Sequence, residues 1–166
     1  MKVLEPQPLS RAAFAAYGAV LETEGADHFL INQGTTTRFH ALADVETDAD
    51  GRAILSIFRG TKCTDPQPIT MLERHPLGSQ AFMPLSAHDW LVVVAERPSV
   101  DALRCFLARG NQGVQYGAGV WHHPLLVLAD AQDFLVVDRS GPGENLEEVQ
   151  LVPGAQIVLP AGRGQD

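Results

Sequence analysis

The chain has 166 residues, 45% of them hydrophobic, and a formal net charge of -8 at pH 7, which is enough for one well-buried core and a single domain. The acidic balance argues against a nucleic-acid interface, which needs a basic stripe, and against adhesion to anionic lipid, so small-molecule chemistry is the expected role. An acid and a proline interrupt Met1–Pro6 where a signal peptide needs an apolar segment, and no apolar run approaches membrane-spanning length, which predicts a soluble, cytoplasmic protein.

Leu9 to Gly18 reads as a short helix, capped by Ser10, ended by Gly18 and stapled by Leu9 and Phe14. Ala19–Leu21 starts the first strand. His28–Gly34 and Thr36–His40 read as two strands around a turn at Gly34, with Arg38 and His40 on one face. The carboxylate-bearing loop Thr47–Gly51 is expected to be a solvated turn. The apolar run Arg52–Arg59 predicts a strand buried on both faces, and Trp90–Ala95 is the clearest core strand. Ser99–Ala108 has helical spacing of Val100, Leu103 and Leu107, a serine cap and Asp101 in the first turn, which predicts a helix ended by Gly110.

A glycine-rich approach, Gly113 to Gly119, leads to the pair His122 and His123 and then to strands at Leu125–Leu128 and Phe134–Val137. After a hard turn at Gly141–Gly143 come two late strands, Val149–Val152 and Gln156–Leu159. One domain is expected over residues 1–160, with a loose tail over 161–166. Many short strands and a few short helices predict a mainly β protein, an antiparallel β-barrel or sandwich. Cys63 and Cys105, in a chain without a secretory signal, are expected to stay reduced and are assigned no role.

The stretch Glu73-Arg74-His75-Pro76-Leu77-Gly78-Ser79-Gln80-Ala81-Phe82-Met83-Pro84 gathers an acid, a base, an imidazole and an amide beside an apolar strand signal. Glu73 and His75 share a strand face by period two, and Pro76 with Gly78 turns the chain toward Gln80. A second cluster, Gly117-Ala118-Gly119-Val120-Trp121-His122-His123-Pro124, brings imidazoles from elsewhere, and the two are expected to converge. Adjacent His122 and His123 face opposite sides of a strand, so His122 is expected to enter and His123 to support. Trp121 is expected to pack.

Both segments resemble those of the ureidoglycolate lyase family. The resemblance extends to Leu9-Ser10 with Phe14 and Tyr17-Gly18, to Ile31-Asn32 with Arg38 and His40, to Ser56-Ile57 with Arg59, and to Asp133-Phe134-Leu135 ending in Asp138-Arg139. It leaves out only the last dozen or so residues. That family is similar to cupins, which implies a cupin-like barrel whose metal ligands fall here on Glu73, His75, Gln80 and His122. The resemblance also implies nickel. An amide replacing an imidazole departs from the usual cupin set, and an amide oxygen is a poor ligand for such metals, which points to a weak or dispensable metal site.

The activity implied is cleavage of (S)-ureidoglycolate to glyoxylate and urea in allantoin catabolism. That reaction needs a base for the hydroxyl proton, an acid for the leaving nitrogen and a cation or donors for the carboxylate. His75, His122, His123 and Glu73 are acid and base candidates, while Arg38 or Arg59 can clamp the carboxylate. Asn32, His40 and Gln80 can hydrogen-bond the urea amide, and His40 also stands among the catalytic candidates. Arg59 can alternatively pair with an acid at the barrel rim, and Asp138 can orient an imidazole or pair with Arg139. Two other readings are an amidohydrolase releasing ammonia from the same substrate and a non-catalytic binder of a small hydroxy acid. Exposed strand edges predict a homodimer.

Overall fold

The computed structural model describes residues 1–159, and the tail expected after Pro160 lies outside them. The expected mainly β architecture is present. The extended start pairs as two short strands, β1 (Lys2–Leu4) and β2 (Gln7–Pro8), so Ala19–Leu21 is not the first. Ser10 caps α1 (Arg11–Phe14), accepting from the Ala13 N–H at 3.2 Å. This helix stops well before Gly18, which instead opens β3 (Gly18–Leu21). A hairpin follows, β4 (His28–Ile31) and β5 (Thr36–Phe39), joined by a 3-10 turn over Asn32–Gly34.

The chain continues through β6 (Arg52–Thr61), β7 (Gln67–Arg74), β8 (Gln80–Pro84), β9 (Trp90–Ala95) and β10 (Leu103–Ala108). It ends through β11 (Gly113–Tyr116), β12 (Trp121–His122), β13 (Leu126–Val127), β14 (Ala131–Ser140) and β15 (Glu147–Ile157). The larger sheet runs β1-β15-β7-β12-β9-β10-β2, with β13 also on β9, and the smaller runs β3-β11-β8-β14-β6. The hairpin β4–β5 forms a sheet by itself.

Alternation along β9 makes two cores from one strand. Trp90, Val92 and Val94 join Phe14, Phe82, Phe106, Val114, Phe134 and Val136 between the two sheets. Leu91, Val93 and Ala95 join Ile69, Leu72, Leu103, Cys105, Trp121, Leu151 and Ile157 in a second cluster, and all of its strand residues belong to the larger sheet, which curls over itself.

Four further expectations are corrected. Ser99–Ala108 is not a helix: only Val100–Ala102 makes a 3-10 turn, and the Ser99 hydroxyl donates to Asp101 instead of capping the backbone. Leu103 and Cys105 enter one core while Phe106 and Ala108 enter the other. A strand buried on both faces carries apolar residues at helical spacings too, and here the full ladder with β9 decides. The glycine-rich approach contains a paired strand, β11, between β3 and β8. The two late strands are one, β15, whose register against β7 shifts between Gln150 and Ala155. Finally, β6 is not buried on both faces. It is the end strand of the smaller sheet, and Leu55 and Ile57 are 73% and 62% exposed.

Phe134 on the smaller sheet meets Trp90 on the larger at 4.8 Å between ring centroids, edge to face, and is fully buried. Replacing Phe134 by Ala removes this contact between the sheets and is expected to lower unfolding free energy by about 3–5 kcal/mol, measured by urea denaturation.

Candidate active site

The two motif segments meet in the structure. His122 on β12 is the register partner of Glu73 on β7, and the Gly119 N–H donates to His75 O at 2.8 Å. The turn between His75 and Gln80 is held from outside by residues 46–48. Glu46 N–H donates to Ser79 Oγ at 2.8 Å, Ser79 N–H to Glu46 O at 3.0 Å, and Asp48 N–H to Leu77 O at 3.1 Å. Asp48 is therefore more than part of a solvated turn. The Arg139 guanidinium, its side chain 2% exposed, donates to both Asp48 oxygens at 2.7 and 3.0 Å and holds that carboxyl below its ordinary range.

Hydrogen bonding fixes both imidazole tautomers. His75 Nδ1 lies 3.0 Å from Asn145 O, and His122 Nδ1 lies 3.0 Å from Val120 O. A carbonyl oxygen only accepts, so each ring donates from Nδ1 and, when neutral, presents a bare Nε2. Both Nε2 atoms are buried without a hydrogen-bond partner among the described residues. Glu73 Oε1 stands between them, 3.5 Å from His122 Nε2 and 4.0 Å from His75 Nε2. The shorter separation still exceeds a charge-assisted hydrogen bond, so the contact is electrostatic. When the His122 ring is protonated it is the chief influence holding the Glu73 carboxyl below its ordinary range, against burial. Tyr116 stacks on His122, centroids 4.2 Å apart and planes within 10°, which sets the orientation of the ring. Burial pushes its phenol above the ordinary tyrosine range.

Gln80 adds a third orphan. Its Nε2 donates to Asp138 Oδ2 at 3.2 Å, which answers what Asp138 does and leaves Gln80 Oε1 buried and unpartnered. Glu73, His75 and His122 each offer one ligand atom, all within 4.8 Å of one another. Two bare imidazole nitrogens and a carboxylate are a donor set that fits a divalent cation.

Glu73, His122 and Gln80 line a cavity of about 330 Å³ with Phe58, Arg59, Gly60, Phe82, Pro124 and Leu125. Arg59 reaches this cavity with its guanidinium already donating to Asp133, at 2.8 and 3.0 Å, as the rim pairing predicts. Arg38, His40 and Asn32 are not brought there within the chain. They sit on the exposed hairpin, outside the cavity lining, with Asn32 Nδ2 donating to Thr36 Oγ1 and the His40 ring 5.5 Å from Phe29. A larger cavity of about 560 Å³ opens elsewhere, beside Leu9, Glu22, Arg109 and Gln112. The Gln112 amide is satisfied there by Leu9 O and Glu22, so volume and orphaned chemistry do not coincide.

Sequence reasoning missed Asn145 and Tyr116. Asn145 lies in the loop after Gly143, where its carbonyl sets the His75 tautomer and its side chain accepts from the Leu77 N–H at 2.8 Å. No local pattern announces this. Tyr116 was hidden in a glycine-rich segment read without a strand, and its place after Val114 at period two was the available signal.

A β-sandwich carrying imidazoles and a carboxylate on its inner strands defines a small-molecule enzyme of the cupin-like class. The family model described as ureidoglycolate lyase matches residues 1–158. The chain is 55% identical over 163 residues to the ureidoglycolate lyase of Azotobacter vinelandii, covering 96% of this chain and 98% of that protein. It is 51% identical to that of Pseudomonas syringae pv. syringae, covering 96% of each, and 53% identical to that of Burkholderia mallei, covering 91% of each. The chain belongs to the ureidoglycolate lyase family.

His123 stands outside the Glu73 cluster, with Nδ1 2.8 Å from Pro124 O, and burial lowers its pKa from the ordinary 6.5. The unfolded chain therefore binds more protons as pH falls below 6.5, so this residue withdraws stability from there downward and is neutral in effect above. His123→Gln is expected to lose part of the drop in urea-unfolding free energy between about pH 7 and pH 5, with little change at pH 8.

Proposed function

We propose that the chain cleaves (S)-ureidoglycolate to glyoxylate and urea, serving allantoin catabolism as a cytoplasmic homodimer. The observation that carries the reading is the pair of bare Nε2 atoms flanking the Glu73 carboxylate, with Glu73 and His122 lining one cavity and His75 behind them. In this scission the carbon-bound hydroxyl becomes a carbonyl and the carbon–nitrogen bond electrons leave on nitrogen. One proton leaves oxygen, one arrives at nitrogen, and no water is consumed. A site that takes up and returns a proton is therefore sufficient.

His122 Nε2 accepts the hydroxyl proton, and Glu73, 3.5 Å away, stabilises the imidazolium formed. The proton then passes to the urea nitrogen, with His75 Nε2 on the other side of Glu73 available to share the transfer. Gln80 Oε1, held in orientation by Asp138, accepts from the urea amide. Glu73, His75 and His122, with Gln80 Oε1 on the cavity that Glu73 and His122 line, would hold a divalent nickel ion, whose chemistry there would be to lower the pKa of a coordinated hydroxyl.

Chelator-treated protein incubated with racemic ureidoglycolate is expected to release urea and glyoxylate in equal amounts, with ammonia at the spontaneous background. Stoichiometric ammonia would replace the reading with an amidohydrolase. Glu73→Gln is expected to lower kcat/KM at least ~100-fold and to abolish any gain on adding nickel, whereas His123→Gln costs less than ~10-fold.

A further inference from the structure

We propose that the site is completed by a second copy of the chain, whose β4–β5 hairpin docks along the free edge of β6 and delivers Arg38 to the substrate carboxylate. This rests on the lyase reading for the nature of the anion, but the docking itself is argued from the fold.

The hairpin is a separate two-stranded sheet, and Phe29 and Leu30 on it are 47% and 66% exposed. An isolated hairpin is marginal in water, so this one needs a surface to lie on. Its tip carries Asn32 and Gln33 at φ 52° and 59°, and Ala41 just past its end stands at φ 51°. Left-handed backbone at ordinary residues persists where surrounding contacts over-determine it, and the single chain supplies few here. The complementary surface is β6. Among the described residues it pairs with β14 alone, leaving a long unpaired edge beside the exposed Leu55 and Ile57.

The same edge borders the cavity. Phe58, Arg59 and Gly60 of β6 form part of its lining, so a hairpin laid along β6 reaches the cavity mouth. Charge selects the occupant. The cavity contains the Glu73 carboxylate, and its one lining arginine is neutralised by Asp133. A bound substrate adds a second carboxylate, and among the described lining residues no side chain offers an unpaired guanidinium or ammonium to meet it. Residues 28–40 contain Arg38, His28 and His40 and no acid, in a chain of net charge -8. Arg38 lies over the Phe29 ring at 6.0 Å, and no carboxylate of the described residues pairs with it. A guanidinium fork matches the missing partner. Reciprocal exchange of hairpins between two copies buries both apolar surfaces in one two-fold contact.

The test uses full-length protein. Wild type is expected to sediment as a dimer, and Leu30→Asp and Leu55→Asp, both at exposed positions, are each expected to shift it toward monomer with circular dichroism unchanged. Arg38→Ala and His122→Ala are each expected to lose at least ~100-fold in kcat/KM, and after subunit exchange an equal mixture should recover about a quarter of wild-type activity, because half the dimers then hold one intact composite site. No recovery above the single variants would overturn the proposal in favour of a hairpin closing over its own cavity. A monomeric wild type, or a Leu30→Asp protein that stays dimeric, would also overturn it. If wild type releases no urea, the lyase reading fails, while sedimentation of Leu30→Asp and Leu55→Asp still decides the docking.

Discussion

The register of β12 between β7 and β9 is the constraint on which the site depends. The strand is only Trp121–His122, yet it pairs on both sides, His122 with Glu73 and with Val94, and Trp121 with Ala95. Period two sends the two side chains to opposite faces. Trp121 enters the core inside the curled sheet, with the Arg74 guanidinium 4.6 Å from its ring centroid, and His122 enters the cavity between the sheets. A slip of one residue would put tryptophan against Glu73 and bury an imidazole among leucines. The hydrophobic core thus sets the geometry of the candidate site through a single tryptophan.

That geometry is electrostatically unfinished. Among the described residues His75 Nε2, His122 Nε2 and Gln80 Oε1 are buried acceptors without donors, and a carboxylate stands between the two imidazoles. Each buried polar atom left unpaired costs about 1–3 kcal/mol, and clusters of them are uncommon outside functional sites. The surroundings enforce the arrangement. Carbonyls of Asn145 and Val120 claim the Nδ1 protons, Tyr116 sets the plane of His122, and Asp138 accepts one hydrogen bond from the Gln80 amide. A proton or a divalent cation would resolve the deficit, and the same donor set fits either.

The parts legible in the sequence were those where one physical signal dominated. Trp90–Ala95 is buried on both faces and reads as an unbroken apolar run, and Glu73 with His75 obeys period two beside a Pro-Gly turn. Leu103–Ala108 was illegible because a doubly buried strand satisfies helical spacing, and only its ladder with Trp90–Ala95 distinguishes them. Asn145 was illegible for another reason. Its contribution to His75 is a backbone carbonyl delivered over a long sequence separation, which no side-chain pattern encodes. Arg52–Arg59 misled because an apolar run marks a surface that must be covered without saying whether the cover lies in the same chain.

That last ambiguity bears on how a carboxylate substrate is held. Two carboxylates in a cavity with reduced access to water repel, and the repulsion grows as the local dielectric falls. Arg59 cannot relieve it while forked to Asp133, so compensation has to enter the cavity from outside the residues that line it. A divalent cation held by Glu73, His75 and His122 and a guanidinium brought to the cavity mouth would meet the same demand from opposite ends. Either reduces the need for the other, and a site with an arginine at its rim tolerates a weaker metal set, such as one in which an amide stands where cupins use a stronger ligand.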